Sequence, residues 1–180
     1  MADHTWKRLE SRVIYENDQG MSVCEDLVEL PNGKRSAFVV FVSRDGVGVL
    51  PLDEREQVVL VRQYRYAEGE WSWEIPLGTI GPDEQPEQAA RRELAEEAHL
   101  RADELAPLGV YHTNQSILRE TVHVFLARDL DPADGRRDAD ELIETRRFPF
   151  DRVLRMVLDG EIRDGTTIIA TLLAARRLGK

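Results

Sequence analysis

The chain has 180 residues, 42% hydrophobic and 32% charged, with a formal net charge of −10, which is enough for one well-cored domain with a small appendage. That balance suits a globular protein and excludes a disordered one, while the acidic surplus argues against a nucleic-acid partner, since phosphate backbones attract clustered Lys and Arg. No apolar run approaches the ~20 residues needed to cross a bilayer; the first residues do not read as a signal segment, and the single Cys24 has no internal disulfide partner, so a cytoplasmic location is expected.

Residues 1–11 are polar and are expected to be ordered only through contacts elsewhere. Residues 12–29 predict two strands carrying Val13, Tyr15, Met21, Val23, Leu27 and Val28 about the turn Asp18-Gln19-Gly20. Asn32-Gly33, both tolerant of positive φ, predicts a hairpin into a strand over 37–42. This N-terminal β-hairpin region, residues 1–43, reads as an addition to a main domain over 44–180.

Strands are predicted over 47–52 and 57–64, separated by the charged turn 53–56. Arg62 and Arg65 fall at the end of the second. Arginine suits bidentate phosphate contacts, and pairing with a surface acid is the plainer alternative. Trp71 and Trp73 flank an extended piece ending at Glu74-Ile75-Pro76, where packing is the first role expected and base stacking the second.

Gly81-Pro82-Asp83 predicts a loop, after which Pro86 suits a first helical turn and Glu87 the positive helix end. Ala89, Ala90, Leu94 and Ala98 form an apolar stripe, leaving Glu93, Glu96 and Glu97 on the adjoining face. His99 is placed to end the helix in the left-handed region, where Gly is preferred and His is tolerated. Like charges three and four apart destabilise a bare helix by about 0.2–0.5 kcal/mol per pair. A cation between them reverses that sign, and hard ions such as Mg²⁺ choose carboxylate oxygens and share their sites with phosphates. The alternative is a solvated acidic face.

Downstream, strands are predicted over 108–111 and 121–127, with a polar loop between them that is expected to face the substrate. Residues 129–141 read as an acidic loop and 142–148 as a strand. Helices follow over 150–158 and 166–178, the last with Ile168, Ile169, Leu172 and Leu173 as its core stripe.

The spacing around the acidic helix is specific. Gly78 is followed by five residues and Glu84, then by seven residues and Arg92-Glu93, an apolar residue, any residue, Glu96-Glu97, any residue, His99 and Leu100. This stretch resembles the Nudix box, the signature of hydrolases that cleave a nucleoside diphosphate linked to another group. His99, where the family pattern has Gly, is its one departure. Over residues 36–177 the chain is similar to the ADP-ribose pyrophosphatase branch, through VVLVRQYRY (58–66), WEIPLGTI (73–80), ETVHVFLA (120–127), DADELIE (138–144) and DGEIRDGTTIIATLLA (159–174).

The resemblance implies an α/β fold, the Nudix α/β/α sandwich with a mixed β-sheet. It also implies a homodimer in which the N-terminal β region helps bind the partner's substrate, with Tyr15 a candidate for stacking. Mg²⁺, with Mn²⁺ a possible substitute, is implied to be held by Glu93, Glu96, Glu97 and the backbone carbonyl of Leu77. Arg92 would orient the glutamates, and Glu84 would support the helix start or an outer metal. A loop carboxylate is implied to activate the water; Asp138, Asp140 and Glu141 compete, with Glu141 favoured and simple solvation the alternative. Arg62, Arg65, Glu74 and Gln115 are the candidates for substrate binding.

The branch usually carries a Ser-Pro-Gly-Phe-like segment where this chain has Asn114-Gln115-Ser116-Ile117, so the pocket wall is expected to differ. The expected activity is cleavage of ADP-ribose or another nucleoside diphosphate sugar to a nucleoside monophosphate and a sugar phosphate. The alternatives are hydrolysis of another nucleoside diphosphate derivative or a dinucleoside polyphosphate, and a non-catalytic nucleotide-sensing Nudix domain. Retention of Arg92, Glu93, Glu96 and Glu97 argues against the last.

Overall fold

The structure is a computed structural model that describes residues 5–134 and 143–180. In chain order its elements are β1 (Lys7–Glu16), β2 (Ser22–Glu29), β3 (Arg35–Val42), β4 (Gly46–Pro51), β5 (Gln57–Arg65), β6 (Glu70–Glu74), β7 (Leu77–Thr79), α1 (Pro86–Ala98), β8 (Leu100–Tyr111), β9 (Leu118–Arg119), β10 (Val122–Pro132), β11 (Glu144–Pro149), α2 (Phe150–Leu158) and α3 (Gly165–Leu178). Contacts divide the chain into two compact units, residues 1–44 with 112–121, and residues 45–111 with 122–180.

The smaller unit is a four-stranded sheet in the order β1-β2-β3-β9. Its two hairpins turn at Gly20 and Gly33, both at positive φ, as their turn sequences predict. Strand β1 starts at Lys7 rather than at residue 12. Its side chains are exposed almost throughout, so the strand has no apolar period to read, and it is held by backbone pairing along β2.

The larger unit holds a mixed sheet, β7-β4-β10-β8, and an antiparallel one, β11-β5-β6. Strands β4 and β10 pair in parallel at the centre, and every residue of β4 is buried, as expected for a strand covered on both faces. Side chains alternate across the strands. Leu50, Leu52, Val124 and Leu126 face one core with Phe150, Val153 and Met156 of α2 and Ala170 and Ala174 of α3. Val47, Val49, Phe125 and Ala127 face a second core with Ala89, Ala90, Leu94 and Ala98 of α1. Helix α1 thus covers one face of the sheet and α2 and α3 the other, which is the expected α/β/α sandwich.

Two strands are longer than their sequences suggest. Strand β8 spans Leu100–Tyr111 instead of four residues, because between Leu100 and Leu108 its fully buried positions hold only small Ala102 and Ala106 and it contains Pro107. That proline lies at a register irregularity in the β8–β10 ladder, where a missing N–H is tolerated. Strand β10 runs on to Pro132 through residues read as acidic loop, since backbone pairing with β8 does not depend on side-chain polarity. Helix α3 fully buries Thr167, Ala170, Thr171, Ala174 and Ala175; of the expected stripe, Ile168 and Leu173 are half-buried against the same core, and Leu172 is exposed. Small residues let it lie close on the sheet over Gly48, where a Cβ would stand 2.5 Å from Thr166 Cγ2. Among the described residues, no helix is long and apolar enough to cross a membrane.

Candidate active site

The acidic helix is anchored at both ends by its own sequence. The Gln85 N–H donates to Gln88 Oε1 at 2.9 Å ahead of Pro86, satisfying a donor at the helix start. At the other end His99 adopts φ 54°, ψ 41°, and its N–H closes the last turn on Leu94 and Ala95. Within the helix, Glu93 and Glu97 are only 8% and 6% exposed, and Glu96 is half-buried. Carboxylates are almost never buried to that degree unless partnered.

Their partners lie on β7 and the loop that follows. The Leu77 N–H donates to Glu97 Oε2 at 2.9 Å, which puts that peptide beside the carboxylate. At Gly78 a Cβ would stand 2.0 Å from Glu93 Oε1 and 2.2 Å from Glu93 Cδ. Only a residue without a side chain lets the Glu93 carboxylate lie against this strand. The glycine is required by close approach, not by backbone conformation.

Arg92 ties together Glu84, Glu93, Glu96 and the Thr79 carbonyl. Its Nε and Nη2 donate to Glu84 Oε1 and Oε2, both at 3.0 Å, a bidentate pair with the geometry that makes arginine–carboxylate contacts strong. Nη1 donates to Glu93 Oε1 at 2.6 Å and to Glu96 Oε2 at 3.0 Å, and Nη2 to the Thr79 carbonyl at 2.9 Å. Glu84 also accepts the Gly81 N–H at 3.0 Å. The hydrogen bond from Arg92, helped by that of Gly81, holds the Glu84 carboxyl below its usual range. Glu84, Glu93 and Glu96 together hold the Arg92 guanidinium firmly charged.

Among the described residues, no three acidic, histidine or cysteine side chains form a ready-made metal cage, and Arg92 rests on two of the three glutamates. The donors themselves are all hard oxygens, two of them on carboxylates buried against the Leu77–Thr79 strand. That chemistry fits a hard divalent cation and not a soft one.

The substrate-binding candidates are distributed differently. Arg65 and Glu74 meet each other: Arg65 Nε lies 3.0 Å from both Glu74 carboxylate oxygens, and Nη2 also donates to Oε2. Glu74 is 2% exposed. Burial pulls the Arg65 guanidinium down, but the hydrogen bond and charge of Glu74, with the charges of Glu97 and Asp164, carry it upward overall. Arg62 instead sits over the rings of Trp71 and Trp73, 5.4 and 5.9 Å from their centroids, with Glu144 Oε2 at 3.6 Å. The structure therefore gives Trp71 a cation partner and packs Trp73 on Phe148 at 5.1 Å. Gln115 belongs to the smaller unit, on a cavity of about 420 Å³ with His112, Ser116 and Arg119. Asp138, Asp140 and Glu141 lie outside the described residues.

Thr167 escaped the sequence reading. Its hydroxyl accepts the Ile75 N–H at 3.0 Å across 92 positions, directly before the box. The available signal was Asp164, an N-cap residue type ahead of α3.

A family model described as the NUDIX domain matches residues 42–168. The chain is 34% identical over 170 residues to an ADP-ribose pyrophosphatase of Bacillus subtilis, covering 91% of this chain and 92% of that protein. It is 35% identical over 144 residues to a GDP-mannose pyrophosphatase of Klebsiella pneumoniae, covering 72% and 70% respectively. A solved structure described as an ADP compounds hydrolase matches with a TM-score of 0.87 at 22% identity, over 97% of this chain and 94% of that one, which shows a shared fold.

Proposed function

This chain belongs to the Nudix family, and we propose that it is a divalent-metal-dependent pyrophosphatase of nucleoside diphosphate sugars, with ADP-ribose its leading substrate. The observation that carries this reading is the pair of buried carboxylates, Glu93 and Glu97, held against Gly78 and Leu77. Burying two like charges on one helical turn is costly, and a site for a cation and a diphosphate is the function that explains retaining them.

Glu93, Glu96, Glu97 and the Leu77 carbonyl would hold Mg²⁺ or, in its place, Mn²⁺. When bound, the ion neutralises charge on the diphosphate. Arg92 orients Glu84, Glu93 and Glu96 through the hydrogen bonds described above. Arg65, aligned by buried Glu74, is assigned a phosphate contact, and Arg62 and Gln115 further substrate contacts. Glu141 is assigned the water. A water oxygen attacks one phosphorus as its proton passes to Glu141, the bond from that phosphorus to the bridging oxygen breaks, and the departing phosphate takes the electron pair. The products are a nucleoside monophosphate and a sugar phosphate. We assign the N-terminal region, residues 1–43, with exposed Tyr15, to a homodimer contact and a share of the substrate site.

The 35% identity to a GDP-mannose pyrophosphatase favours GDP-mannose as the competing substrate. Turnover of ADP-ribose, GDP-mannose, UDP-glucose and a dinucleoside polyphosphate with Mg²⁺, products identified by mass, decides between them. The highest kcat/KM is expected with ADP-ribose. A higher value for GDP-mannose overturns the substrate assignment, and tight binding without turnover of any compound overturns the enzymatic one.

A further inference from the structure

Four consecutive residues ahead of the box glycine are each tied to a different partner. Glu74 is held by Arg65, and the Ile75 N–H donates to Thr167 Oγ1 at 3.0 Å. The Pro76 carbonyl accepts the Val49 N–H at 2.9 Å, and the Leu77 N–H donates to Glu97 Oε2 at 2.9 Å. Three of these partners come from the strands and helix that build the site. The fourth, Thr167, comes from the first turn of α3, on the opposite face of the central sheet.

Thr167 is 0% exposed, so its hydroxyl must find partners within the protein. It has one proton to give and oxygen lone pairs to receive, and it uses both functions. It accepts from Ile75 and donates to Asp164 Oδ2 at 2.6 Å. The same carboxylate oxygen accepts the Thr167 N–H at 2.6 Å as the N-cap of α3. An ionised acceptor makes this hydroxyl a fixed relay, stronger than a neutral bond. The neighbouring Thr166 Oγ1 lies 2.6 Å from Tyr111 Oη, which pins the same turn to β8. Gly48 allows the close approach: a Cβ there would meet Thr166 Cγ2 at 2.5 Å and Ile75 Cδ1 at 3.1 Å. Gly48 is also the β4 residue paired with Leu77.

We propose that Thr167, held by Asp164, is a positioning residue that sets residues 75–77 so that the Leu77 peptide and the Glu97 carboxylate meet a divalent cation in register. The proposal rests on the metal-dependent reading above and extends it to a side chain on the far side of the sheet. A plain helix cap would need Asp164 alone; the bond to Ile75 is what couples the cap to the site. Removing the hydroxyl without changing the volume leaves the Ile75 N–H buried and unpaired, and the segment before the box shifts to find a new acceptor.

The test uses the metal-free full chain, titrated with Mn²⁺ by calorimetry at a temperature where circular dichroism shows each variant folded. Thr167→Val is expected to weaken Mn²⁺ binding by about 10- to 100-fold, the range for residues that orient metal ligands from outside. Thr167→Ser, which keeps the hydroxyl, is expected to restore wild-type affinity. In turnover, the Mn²⁺ concentration for half-maximal rate rises in Thr167→Val while KM for ADP-ribose at saturating metal stays unchanged, a split that loss of stability alone does not produce. If Thr167→Val does not fold, Thr167→Ala carries the same measurement. Wild-type Mn²⁺ affinity in the folded variant overturns the positioning role alone. A wild-type chain that binds no Mn²⁺ overturns the metal reading beneath it.

Discussion

Replacing Gly78 by alanine tests the geometry of the site with a single methyl group. The added Cβ would stand 2.0 Å from Glu93 Oε1 and 2.2 Å from Cδ, where ordinary contact begins at 3.4 Å. The carboxylate must therefore retreat by about 1.4 Å, more than the ångström of displacement that can cost about 100-fold in rate. It cannot retreat freely, because Arg92 Nη1 holds the same oxygen at 2.6 Å and Arg92 is itself clamped by Glu84. Overpacking of this kind costs about 1–3 kcal/mol, so the chain is expected to fold with a lower urea midpoint and to lose about 100-fold in kcat. Gly81→Ala serves as the control, since its Cβ would meet Glu84 at no less than 3.3 Å. Steady-state turnover of ADP-ribose with Mg²⁺, measured beside urea unfolding, checks both halves. Wild-type kcat in a folded Gly78→Ala protein would refute the placement of Glu93 against this strand.

Arg65→Ala strands the buried Glu74 carboxylate and is expected to destabilise the fold by about 3 kcal/mol; replacing both by apolar residues should recover most of that loss in urea unfolding. His99→Gly relieves a left-handed residue at φ 54° and is expected to stabilise by about 1 kcal/mol without changing turnover, as read from the urea midpoint. The Glu84 carboxyl is held below its ordinary value of 4.5 by Arg92, so its contribution to stability is complete above that pH and is lost as pH falls through its lowered value. The stability difference between wild type and Glu84→Gln should therefore be constant from pH 7 to about 5 and shrink towards pH 3. A difference that grew on acidification would reverse the sign of the Arg92 interaction.

The box helix was legible because each of its signals is local. Pro86 at the first turn, the 89–90–94–98 stripe and His99 at the end act within a few residues of one another, and α1 runs from Pro86 to Ala98. The strand over 47–52 was legible for the same reason, set off by the charged turn 53–56 that follows it. What the sequence hid are features set by partners distant in the chain. Strand β1 is paired along its backbone and carries no buried stripe. Residues 129–132 look like acidic loop but are held in strand by β8. The small-residue face of α3 follows from the absence of a side chain at Gly48, which no helical period reveals. At the site, Arg92 and the glutamates could be grouped by spacing, and the burial of Glu93 and Glu97 could not, because it depends on β7 lying across them. Thr167 and Ile75 are 92 positions apart, beyond any pattern that periodicity detects. Arg65 and Glu74 are separate substrate-contact candidates in the sequence, and the β5–β6 hairpin brings them together.

The proposed reaction needs the buried carboxylates on α1 for metal-dependent cleavage of a diphosphate bond. Hydrolysis of ADP-ribose in heavy-oxygen water with Mg²⁺, by wild type and Glu97→Gln side by side with products resolved by mass, tests it most directly. The expected result is a nucleoside monophosphate and a sugar phosphate from the wild type, one of the two carrying a single heavy oxygen from the attacking water. Glu97→Gln is expected to be slower by about 100-fold or more, as when another charge-stabilising group is removed from a site of this kind. Equal rates for the two proteins, or wild-type turnover that persists when a chelator replaces Mg²⁺, would contradict it.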